Sequence, residues 1–420
     1  MKIVLVQGKY FNSWECLAFG YIGAYIKKHI PKAILSFYQG AIDSETEIIT
    51  DCLNADFVCF SATSPSYEYC KLLCKKIKEI NKNVITVIGG YHVSALPHES
   101  LVEGIVDKII VGEGEDAMVK IINRVDDNDI VYGRRMKFEE LFWPDRDLIK
   151  NYRNIEVAFK GTGKRITSFQ SHRSCPFMCK YCADGHESVL YFGQKVKTRS
   201  RDVNDLLSEM IFYTGEYSLD LLKFCDATWN IDKNYVKSFC QSKINRNFTT
   251  PFFANIHANI CDDEMFNLMR QSGCEEIGLG IESGSEKILK QIGKGTTKNS
   301  IRNAVYLAKK NNIKVRGYFI LGMPEETRDD IILTEQFAEE LDIDEYGFTI
   351  LCPYPGTQMY ALEPSRFKNI KWEETDEYSN TFWKTNYIDN ETLRNLQLQL
   401  VDKFKNKLTW HNKTVHKGTI

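Results

Sequence analysis

The feature that most constrains the fold of this chain is an alternation of short apolar runs with helical patterns. This alternation is typical of βα units that build a parallel sheet. In the first part of the chain the predicted strands are 3–6, 34–37, 57–61, 84–88 and 108–111, and the predicted helices are 17–28, 67–80 and 116–122. Five such strands predict a doubly wound, flavodoxin-like (Rossmann-type) α/β domain over residues 1–123. Ligands of such domains bind beyond the carboxyl ends of the strands.

A second series of βα units follows a charged connector at residues 124–164, which we interpret as a linker. Its predicted strands are 166–170, 221–225, 252–256, 276–281, 315–321 and 345–351. Six βα units are fewer than the eight of a closed TIM barrel, so we expect a partial (β/α)6 barrel over residues 165–357. Residues 358–420 predict a small helical C-terminal region, which carries Trp372, Phe382, Trp383 and Trp410.

Composition and charge exclude several classes of protein. Lys and Arg number 54 against 56 Asp and Glu, which leaves a net charge of −2. This balance argues against a protein that coats nucleic acid or an anionic membrane. No apolar stretch approaches the ~18 residues of a spanning helix, and the N-terminal run resembles a strand more than a signal peptide. We therefore expect a cytoplasmic protein without a membrane span, whose 13 cysteines are reduced.

The sharpest chemical signal is the spacing of Cys175, Cys179 and Cys182, a Cys-x3-Cys-x2-Cys motif just after the first strand of the second series. Three thiolates from one loop can hold three irons of a [4Fe-4S] cluster and leave the fourth iron open to another ligand. The alternative is a zinc site in which His172 or His186 supplies the fourth ligand. The spacing favours the cluster.

This motif, placed after a first barrel strand, resembles the radical S-adenosylmethionine (SAM) superfamily, in which S-adenosyl-L-methionine binds the open iron. Its reductive cleavage there gives a 5′-deoxyadenosyl radical. The resemblance continues through 278–284, 316–327 and 353–357. It implies that Arg316 pairs with the methionine carboxylate and that Glu282 accepts from ribose hydroxyls. The SAM-binding residues that it implies are Tyr181, Asp226, Glu282, Ser283, Arg316, Gly322 and Pro324.

The doubly wound domain ahead of the barrel makes the chain similar to the cobalamin-binding class of this superfamily, which includes the class B methyltransferases. Two segments, 89–92 and 112–115, match stretches common in that class. The loop at 7–12 lacks the histidine that binds cobalt in many cobalamin proteins, and a lone loop histidine such as His92 is more often a hydrogen-bonding residue than a cobalt ligand. The implied cobalamin-binding residues are Gln7, Ser61, Thr63, Ser64, Gly89, Gly90, His92, Gly112, Glu113 and Gly114.

The resemblance implies an enzyme, and the leading hypothesis is a C-methyltransferase. It would act on an unactivated carbon of a small molecule or peptide through a 5′-deoxyadenosyl radical and methylcobalamin, with electrons from a donor such as flavodoxin or ferredoxin. The second hypothesis keeps the three cofactors, the [4Fe-4S] cluster, SAM and cobalamin, but replaces methyl transfer with an oxidative cyclisation or ring rearrangement. The pattern names no catalytic side chain and no particular substrate.

Two further hypotheses are disfavoured. A tRNA methylthiotransferase would carry additional cluster cysteines at the strand ends of its first domain, whereas this chain has Gln7-Gly8, Ala62-Thr63 and Gly89-Gly90 there. A cobalamin or iron-sulfur sensor without turnover would need an output module, and no DNA-binding helix-turn-helix pattern or basic patch is evident. We therefore expect no nucleic-acid partner.

Overall fold

The computed structural model describes residues 1–10, 15–185, 197–374, 376–378, 380–409 and 412. The chain forms two compact units. Within the described residues, unit 1 comprises 1–157 and 354–374, and unit 2 comprises 158–185, 197–353 and the residues from 376 onward. Each unit contains one parallel sheet.

Unit 1 is built on a six-stranded parallel sheet with the order β2-β1-β3-β4-β5-β6. Its central strands are in register at their carboxyl ends, since Gln7 pairs with Ser61 and Ser61 pairs with Gly89. The carboxyl ends of three strands therefore lie side by side. The strands are β1 (Lys2–Gln7), β2 (Ile34–Gln39), β3 (Phe57–Ser61), β4 (Ile85–Gly89), β5 (Lys108–Val111) and β6 (Ile130–Tyr132).

Helices cover both faces of this sheet, which explains why its strands are apolar runs without polar alternation. Two hydrophobic clusters result, one containing Val4, Val58 and Leu73, and the other containing Ile3 and Leu5. The helices are α1 (Leu17–His29), α2 (Glu45–Cys52), α3 (Ser64–Ile80), α4 (Tyr91–Ala95), α5 (Pro97–Ser100) and α6 (Gly114–Ile122), followed by α7 (Asn151–Thr162).

The sheet has one strand more than the five that we predicted. Strand β6 pairs with β5 at the sheet edge, and the N–H of Ile109 donates to the carbonyl of Asp129 at 2.7 Å. Only Val131 of its three residues is buried, so the apolar run is too short to stand out from the acidic loop before it. The segment that we interpreted as a linker, 124–164, thus contains β6 and α7.

Unit 2 contains the partial barrel that the pattern predicts. Its six parallel strands lie in chain order, with β7 and β14 at the two edges, so the sheet is open. The strands are β7 (Ile166–Phe169), β10 (Leu221–Phe224), β11 (Phe252–Ile256), β12 (Cys274–Glu282), β13 (Lys314–Leu321) and β14 (Glu345–Ile350), with an antiparallel pair of β8 (His172–Arg173) and β9 (Arg199–Ser200).

Helices alternate with these strands, and several of the helices have an Asp or Thr side chain as N-cap. Asp202, Asp232 and Thr327, for example, accept backbone N–H groups of the first turns that follow them. The helices are α8 (Val203–Tyr217), α9 (Lys233–Asn245), α10 (Asp263–Gln271), α11 (Glu286–Ile292), α12 (Lys298–Lys310) and α13 (Arg328–Glu340).

The C-terminal region that we expected at 358–420 is divided between the units. Helix α14 (Gln358–Leu362) lies in unit 1, where Tyr360, Phe367 and Trp372 pack together. Helix α15 (Asn390–Lys403) lies in unit 2. The tail after α15 covers the edge of β14, because the Asn412 side chain bonds both the N–H and the carbonyl of Phe348. Trp410 lies outside the described residues.

None of the helices that the structure describes has both the length and the apolar character needed to cross a membrane.

Candidate cofactor sites

The three motif cysteines lie in one loop, residues 174–182, which we call the cluster loop. It follows β8 directly, and Ser174 enters it with a φ of 69°, a conformation that is uncommon outside glycine. Its contacts reach residues that follow three later strands: Cys175 Sγ lies 3.8 Å from Thr228 Oγ1, Phe177 stacks on His257 with ring centroids 3.9 Å apart, and the N–H of Lys180 donates to Ile292 at 3.0 Å. These contacts fix the loop at the carboxyl ends of the barrel strands.

The electrostatic setting of the thiols combines burial with one nearby cation. Burial raises the pKa of the Cys179 thiol to about 11, and it raises the pKa of Cys175 and Cys182 as well. The Lys294 ammonium opposes this shift at Cys179 and Cys175. Without metal the thiols are therefore protonated at neutral pH, and iron binding has to displace their protons.

A cluster and a single zinc ion place different demands on these thiols. No group of three or more His, Cys, Asp or Glu side chains among the described residues is arranged to hold one metal ion. In a [4Fe-4S] cluster each cysteine binds a different iron, so the sulfurs stay further apart than the ligands of one zinc ion. His172 is buried, and its Nδ1 lies 2.7 Å from Ser171 Oγ. His186 lies outside the described residues.

Tyr181, Glu282 and Lys294 form a hydrogen-bonded group beside the cluster loop. The Tyr181 hydroxyl donates to Glu282 Oε1 at 2.8 Å, and the Lys294 ammonium donates to the same oxygen at 2.7 Å and to the Gly280 carbonyl at 2.8 Å. The side chains of Lys294 and Glu282 are only 11% and 4% exposed. This group therefore places one ammonium and one carboxylate, largely shielded from solvent, at the end of β12.

The backbone at Glu282 explains how this carboxylate reaches the loop. Glu282 has a φ of 65°, and the pairing of β12 with β13 shifts register between Gly280 and Glu282. Bulges of this kind are frequent next to functional sites because they re-aim a side chain. Burial, followed by the charge of Glu282, raises the pKa of Tyr181, so its hydroxyl stays protonated and donates.

Asp226, which we expected to bind SAM, bonds to the chain ahead of the cluster loop. Its carboxylate accepts the backbone N–H groups of Ser171 at 3.0 Å and His172 at 2.5 Å, and its side chain is 1% exposed. Two backbone donors leave this buried carboxylate satisfied within the protein. Its role in the structure is to position the entry to the loop.

Arg316 does not match the role expected from the resemblance. It lies in the first half of β13, where its guanidinium pairs with Glu276 at 3.1 Å and with Glu345 at 2.9 Å. It also lies over the ring of Phe253, 5.1 Å from the centroid. Ligands of such barrels bind at the opposite, carboxyl ends of the strands. Arg316 is thus part of an ion-pair layer that joins three neighbouring strands.

Strand β13 ends in a turn at residues 322–326, which we call the glycine turn and which contains the expected SAM-binding residues Gly322 and Pro324. Gly322 has a φ of 95°, which favours glycine. The fully buried carboxyl group of Glu326 accepts the N–H groups of Gly322 and Met323. Burial raises the pKa of Glu326 to about 8.

Ser283 faces the protein interior. It is fully buried, and its hydroxyl lies 3.0 Å from Thr334 Oγ1 in α13. The Thr334 hydroxyl is also within 3.0 Å of the Gly284 N–H, which donates to it. Ser283 therefore fixes the end of β12 against a helix, and only its neighbour Glu282 points to the cluster loop.

The carboxyl edge of the unit 1 sheet offers small and neutral groups. Gln7, Ser61 and Gly89 lie next to one another there. Within the described residues, Gln7 Oε1 is buried without a hydrogen-bond partner. A buried amide oxygen without a donor fits a ligand that brings one, and the peripheral carboxamides of cobalamin are such donors.

The loops after these strands are fixed by contacts of their own. Gly90 has a φ of 107°, and a Cβ atom there would lie 2.5 Å from the Ala62 carbonyl oxygen. The N–H of Gly112 donates to Ser94 at 3.1 Å. The N–H of Thr63 donates to Ser66 at 2.9 Å, Glu113 accepts from the N–H of Met136 at 2.8 Å, and Gly114 begins α6. The loops can therefore present backbone groups in a fixed geometry.

His92 and Ser64 form part of the interior of unit 1. His92 is 2% exposed, its ring stacks on Tyr67 at 4.3 Å, and Trp372 meets it edge-on at 5.2 Å. Its Nδ1 lies 3.0 Å from the Ser64 hydroxyl. Burial lowers the pKa of His92 to about 3, so the ring is neutral. These contacts give His92 a packing role.

Two residues at the carboxyl edge of the barrel were missed by the sequence analysis. Lys294 follows α11 in a Gly-Lys-Gly stretch that looks like an ordinary turn, and only the fold brings it to Glu282. Glu326 follows another glutamate near a helix start, where acidic residues are common. Neither residue has a local signal that separates it from surface charge.

Two protein-family models match the chain. Residues 4–122 match the protein-family model of the B12 binding domain, and residues 170–338 match that of the radical SAM superfamily. An uncharacterised methyltransferase of Pyrococcus horikoshii is 28% identical over 376 residues, which cover 85% of this chain and 81% of that protein. The anaerobic magnesium-protoporphyrin IX monomethyl ester cyclase of Rubrivivax gelatinosus is 23% identical over 382 residues, covering 84% of this chain and 66% of the cyclase.

A solved structure shows the same fold. The radical S-adenosylmethionine methyltransferase TsrM of Kitasatospora setae, with tryptophan substrate and a SAM analogue bound, matches with a TM-score of 0.72 at 13% identity, covering 97% of this chain and 90% of TsrM. Another TsrM structure contains cobalamin and a [4Fe-4S] cluster. The chain thus carries a B12 binding domain at residues 4–122 followed by a radical SAM domain at residues 170–338, and this pair of domains is that of a cobalamin-binding radical SAM enzyme.

Proposed function

We propose that this enzyme is a cobalamin-dependent C-methyltransferase that acts on an unactivated carbon of a small molecule or peptide. The observation that carries the proposal is the cluster loop beside the Lys294–Glu282 pair, in a chain that also has a B12 binding domain. The methyltransferase names of the Pyrococcus horikoshii relative and of TsrM support methyl transfer.

In this proposal Cys175, Cys179 and Cys182 hold the [4Fe-4S] cluster. Bound together, the cluster, SAM and cobalamin supply the radical and the methyl group for the reaction. The chain's own residues keep the loop in place: Phe177 stacks on His257, and Asp226 holds the loop entry. Such fixed geometry is the protein's part in cofactor chemistry, because it orients the reacting atoms and excludes water.

Lys294, Glu282 and Tyr181 are proposed to receive the amino acid part of SAM. The carboxylate of SAM complements the Lys294 ammonium, and the amino group of SAM complements the Glu282 carboxylate. One pair of side chains can therefore bind both charged groups of SAM. Lys294 takes the role that the resemblance implied for Arg316, whose guanidinium is occupied by two carboxylates. Gly322 and Pro324 remain proposed contacts through the glycine turn.

Unit 1 is proposed to bind cobalamin through the carboxyl edge of its sheet. Gln7 supplies the buried amide oxygen, and the loops at Gly89, Gly90 and Gly112 to Gly114 supply fixed backbone groups. Ser61, Thr63 and Glu113 are proposed to contribute at this edge, whereas His92 and Ser64 support it from the interior. The domain limits 1–123 and 165–357 remain a proposal, with β6 added to the first domain, whereas the region 358–420 is divided between the two units.

Two properties complete the proposal. An electron donor of the flavodoxin or ferredoxin type would reduce the cluster, since the chain needs one electron for each SAM cleavage. A reducing, cytoplasmic location agrees with 13 cysteines that the structure shows as free thiols.

A cyclase or ring-rearranging activity is the second candidate function, and the likeness to the Rubrivivax gelatinosus cyclase supports it. Both candidates use the same cofactors, so they differ in what SAM becomes. Methyl transfer converts one SAM into S-adenosylhomocysteine, whereas cyclisation consumes SAM only as 5′-deoxyadenosine and methionine.

The test incubates anaerobically reconstituted protein with SAM, hydroxocobalamin and titanium(III) citrate and quantifies both products. A methyltransferase forms S-adenosylhomocysteine as well as 5′-deoxyadenosine. 5′-Deoxyadenosine without S-adenosylhomocysteine would favour the cyclase, and neither product would refute both. The control is the triple variant C175A/C179A/C182A, which should form no 5′-deoxyadenosine.

A further inference from the structure

The segment at residues 380–390, which we call the C-terminal clamp, holds the glycine turn from outside. It belongs to unit 2 and lies beyond the radical SAM match, which ends at residue 338. Its contacts are with backbone carbonyls of the turn: Trp383 Nε1 donates to Gly322 at 2.6 Å, the N–H of Asn386 donates to Pro324 at 2.8 Å, and the Thr385 hydroxyl donates to Glu326 at 3.0 Å.

The clamp and Glu326 complement each other. Glu326 accepts two N–H groups of the turn from the interior, and the clamp supplies donors to three of its carbonyls. Strand β13 ends at Leu321, so ladder pairing does not satisfy these groups. These two sets of bonds therefore hold the turn, together with the N–H of Glu326, which donates to the Met323 carbonyl at 2.8 Å.

Trp383 is the centre of the clamp. It is 3% exposed, and a Cβ atom at Gly322 would lie 3.2 Å from its ring. Within the clamp, the side chain of Asn380 accepts the N–H of Trp383 at 2.7 Å, and the side chain of Asn390 donates to the Trp383 carbonyl at 2.7 Å. Because Trp383 is fixed on one side and bonded to Gly322 on the other, its position constrains the backbone of the glycine turn.

We propose that Trp383 is a positioning residue for SAM, which sets the shape of the glycine turn through its hydrogen bond to Gly322. This inference rests on the proposed function, because it assumes that the turn faces SAM. It gives the C-terminal aromatic region a role in cofactor affinity. Trp383 itself does not contact the reacting atoms.

The test is the variant Trp383→Phe, which keeps an aromatic ring and removes the indole N–H. The affinity for SAM is measured by titration calorimetry on the reconstituted protein without reductant, together with iron content and hydrogen exchange of the peptide around residues 317–330. We expect about tenfold weaker SAM binding, as for loss of one buried hydrogen bond. Iron content should be unchanged, and exchange at the turn should be faster.

The matched control is Trp229→Phe. Trp229 is a buried tryptophan of the same unit, and its Nε1 has no partner among the described residues. This variant lowers stability by loss of packing and should leave the SAM affinity within about twofold. Equal losses of affinity in both variants would overturn the inference, because general destabilisation would then explain them.

A milder double variant, N386A/Y387F, removes the two side-chain bonds of the clamp to Glu325 at 2.5 Å and 3.2 Å. It keeps the proposal testable if Trp383→Phe does not fold, since both residues are exposed. We expect about threefold weaker SAM binding. Unchanged affinity and exchange in the variants, with a wild type that binds SAM, would refute the role of the clamp, whereas a wild type that does not bind SAM would refute the proposed function.

Discussion

The carboxyl edges of the two sheets are built from different chemistry. In unit 1 the edge carries Gln7, Ser61 and Gly89, which are neutral, and the nearby His92 is uncharged. In unit 2 the edge carries three thiols and the Lys294–Glu282 pair. The first edge suits a large ligand held by shape and neutral hydrogen bonds, whereas the second suits a metal cluster and a zwitterion.

The difference indicates that each edge suits its own cofactors: cobalamin in unit 1, and the cluster with SAM in unit 2. No cysteine lies at the described edge of unit 1 formed by Gln7, Ser61 and Gly89. The five cysteines of unit 1 are all buried. Burial raises the pKa of Cys52 to about 12, and it raises the pKa of Cys70 too, so they stay thiols. Substitutions at one edge should therefore leave the cofactor of the other edge in place.

The largest expected effect comes from the triple variant C175A/C179A/C182A. It should lose its cluster iron completely and retain about one cobalamin per chain, because the thiolates are the only protein ligands proposed for the cluster. Iron and cobalt analysis after anaerobic reconstitution measures both. Loss of cobalamin from this variant would contradict the assignment of the cluster and cobalamin to separate sheet edges.

Replacing Lys294 by Met should weaken SAM binding about 100-fold, or about 3 kcal/mol, because it leaves the buried Glu282 carboxylate without its ammonium partner. The cobalamin content should not change. The control is Lys164→Met, since Lys164 pairs with Glu275 at the amino end of β12 and is 46% exposed. Titration calorimetry with SAM compares the two, and equal affinities would contradict the assignment of Lys294.

The backbone character of the unit 1 edge is tested by Gly90→Ala. A Cβ atom there meets the Ala62 carbonyl and φ is 107°, so the free energy of unfolding should fall by about 2 kcal/mol. Cobalamin retention should fall with it. At Gly104 a Cβ atom meets nothing within 4 Å, so Gly104→Ala should cost only the conformational strain of about 1 kcal/mol.

Urea unfolding followed in unit 1, together with cobalt content, measures both glycine variants. Equal losses of stability and of cobalt in Gly90→Ala and Gly104→Ala would mean that the close approach of the backbone at Gly90 does not shape the edge.

The smallest effect concerns the pH dependence of stability through His92. Its pKa is about 3 in the folded protein, below the ordinary histidine value of 6.5, so the unfolded chain binds the extra proton as pH falls. Stability from this group is therefore fully present above pH 6.5 and is lost as pH falls toward 3. Between pH 7 and 5.5 we expect a loss of about 1 kcal/mol, which His92→Gln should remove.

Urea midpoints of wild type and His92→Gln at the two pH values give the comparison. The same pH dependence in both proteins would show that His92 is accessible to protons in the folded state.

Much of the fold could be predicted because strands that are buried on both faces of a parallel sheet appear in the sequence as apolar runs. All five predicted strands of unit 1 and all six of the barrel are present. Strand β6 escaped notice because only Val131 among its residues is buried. The division of the C-terminal region depends on tertiary packing, such as that of Trp372 on His92, which no local pattern encodes.

The candidate site was predictable only where the chemistry lies in contiguous residues. The cluster cysteines share one loop, so their spacing identifies them. Lys294 and Glu282 are twelve positions apart and meet through a register shift in β12, which cannot be read from the chain. Arg316 looked like a ligand for a carboxylate because the sequence does not show that Glu276 and Glu345 already flank it.

Metal content is the measurement that most directly tests the assignment of cobalamin to the sheet edge of unit 1 and of the cluster to the sheet edge of unit 2. The protein is purified without oxygen, reconstituted with iron, sulfide and hydroxocobalamin, desalted, and analysed for iron, cobalt and zinc. We expect about four iron and about one cobalt per chain. Iron without cobalt would contradict the role of unit 1, and zinc in place of iron would contradict the role of the cluster loop.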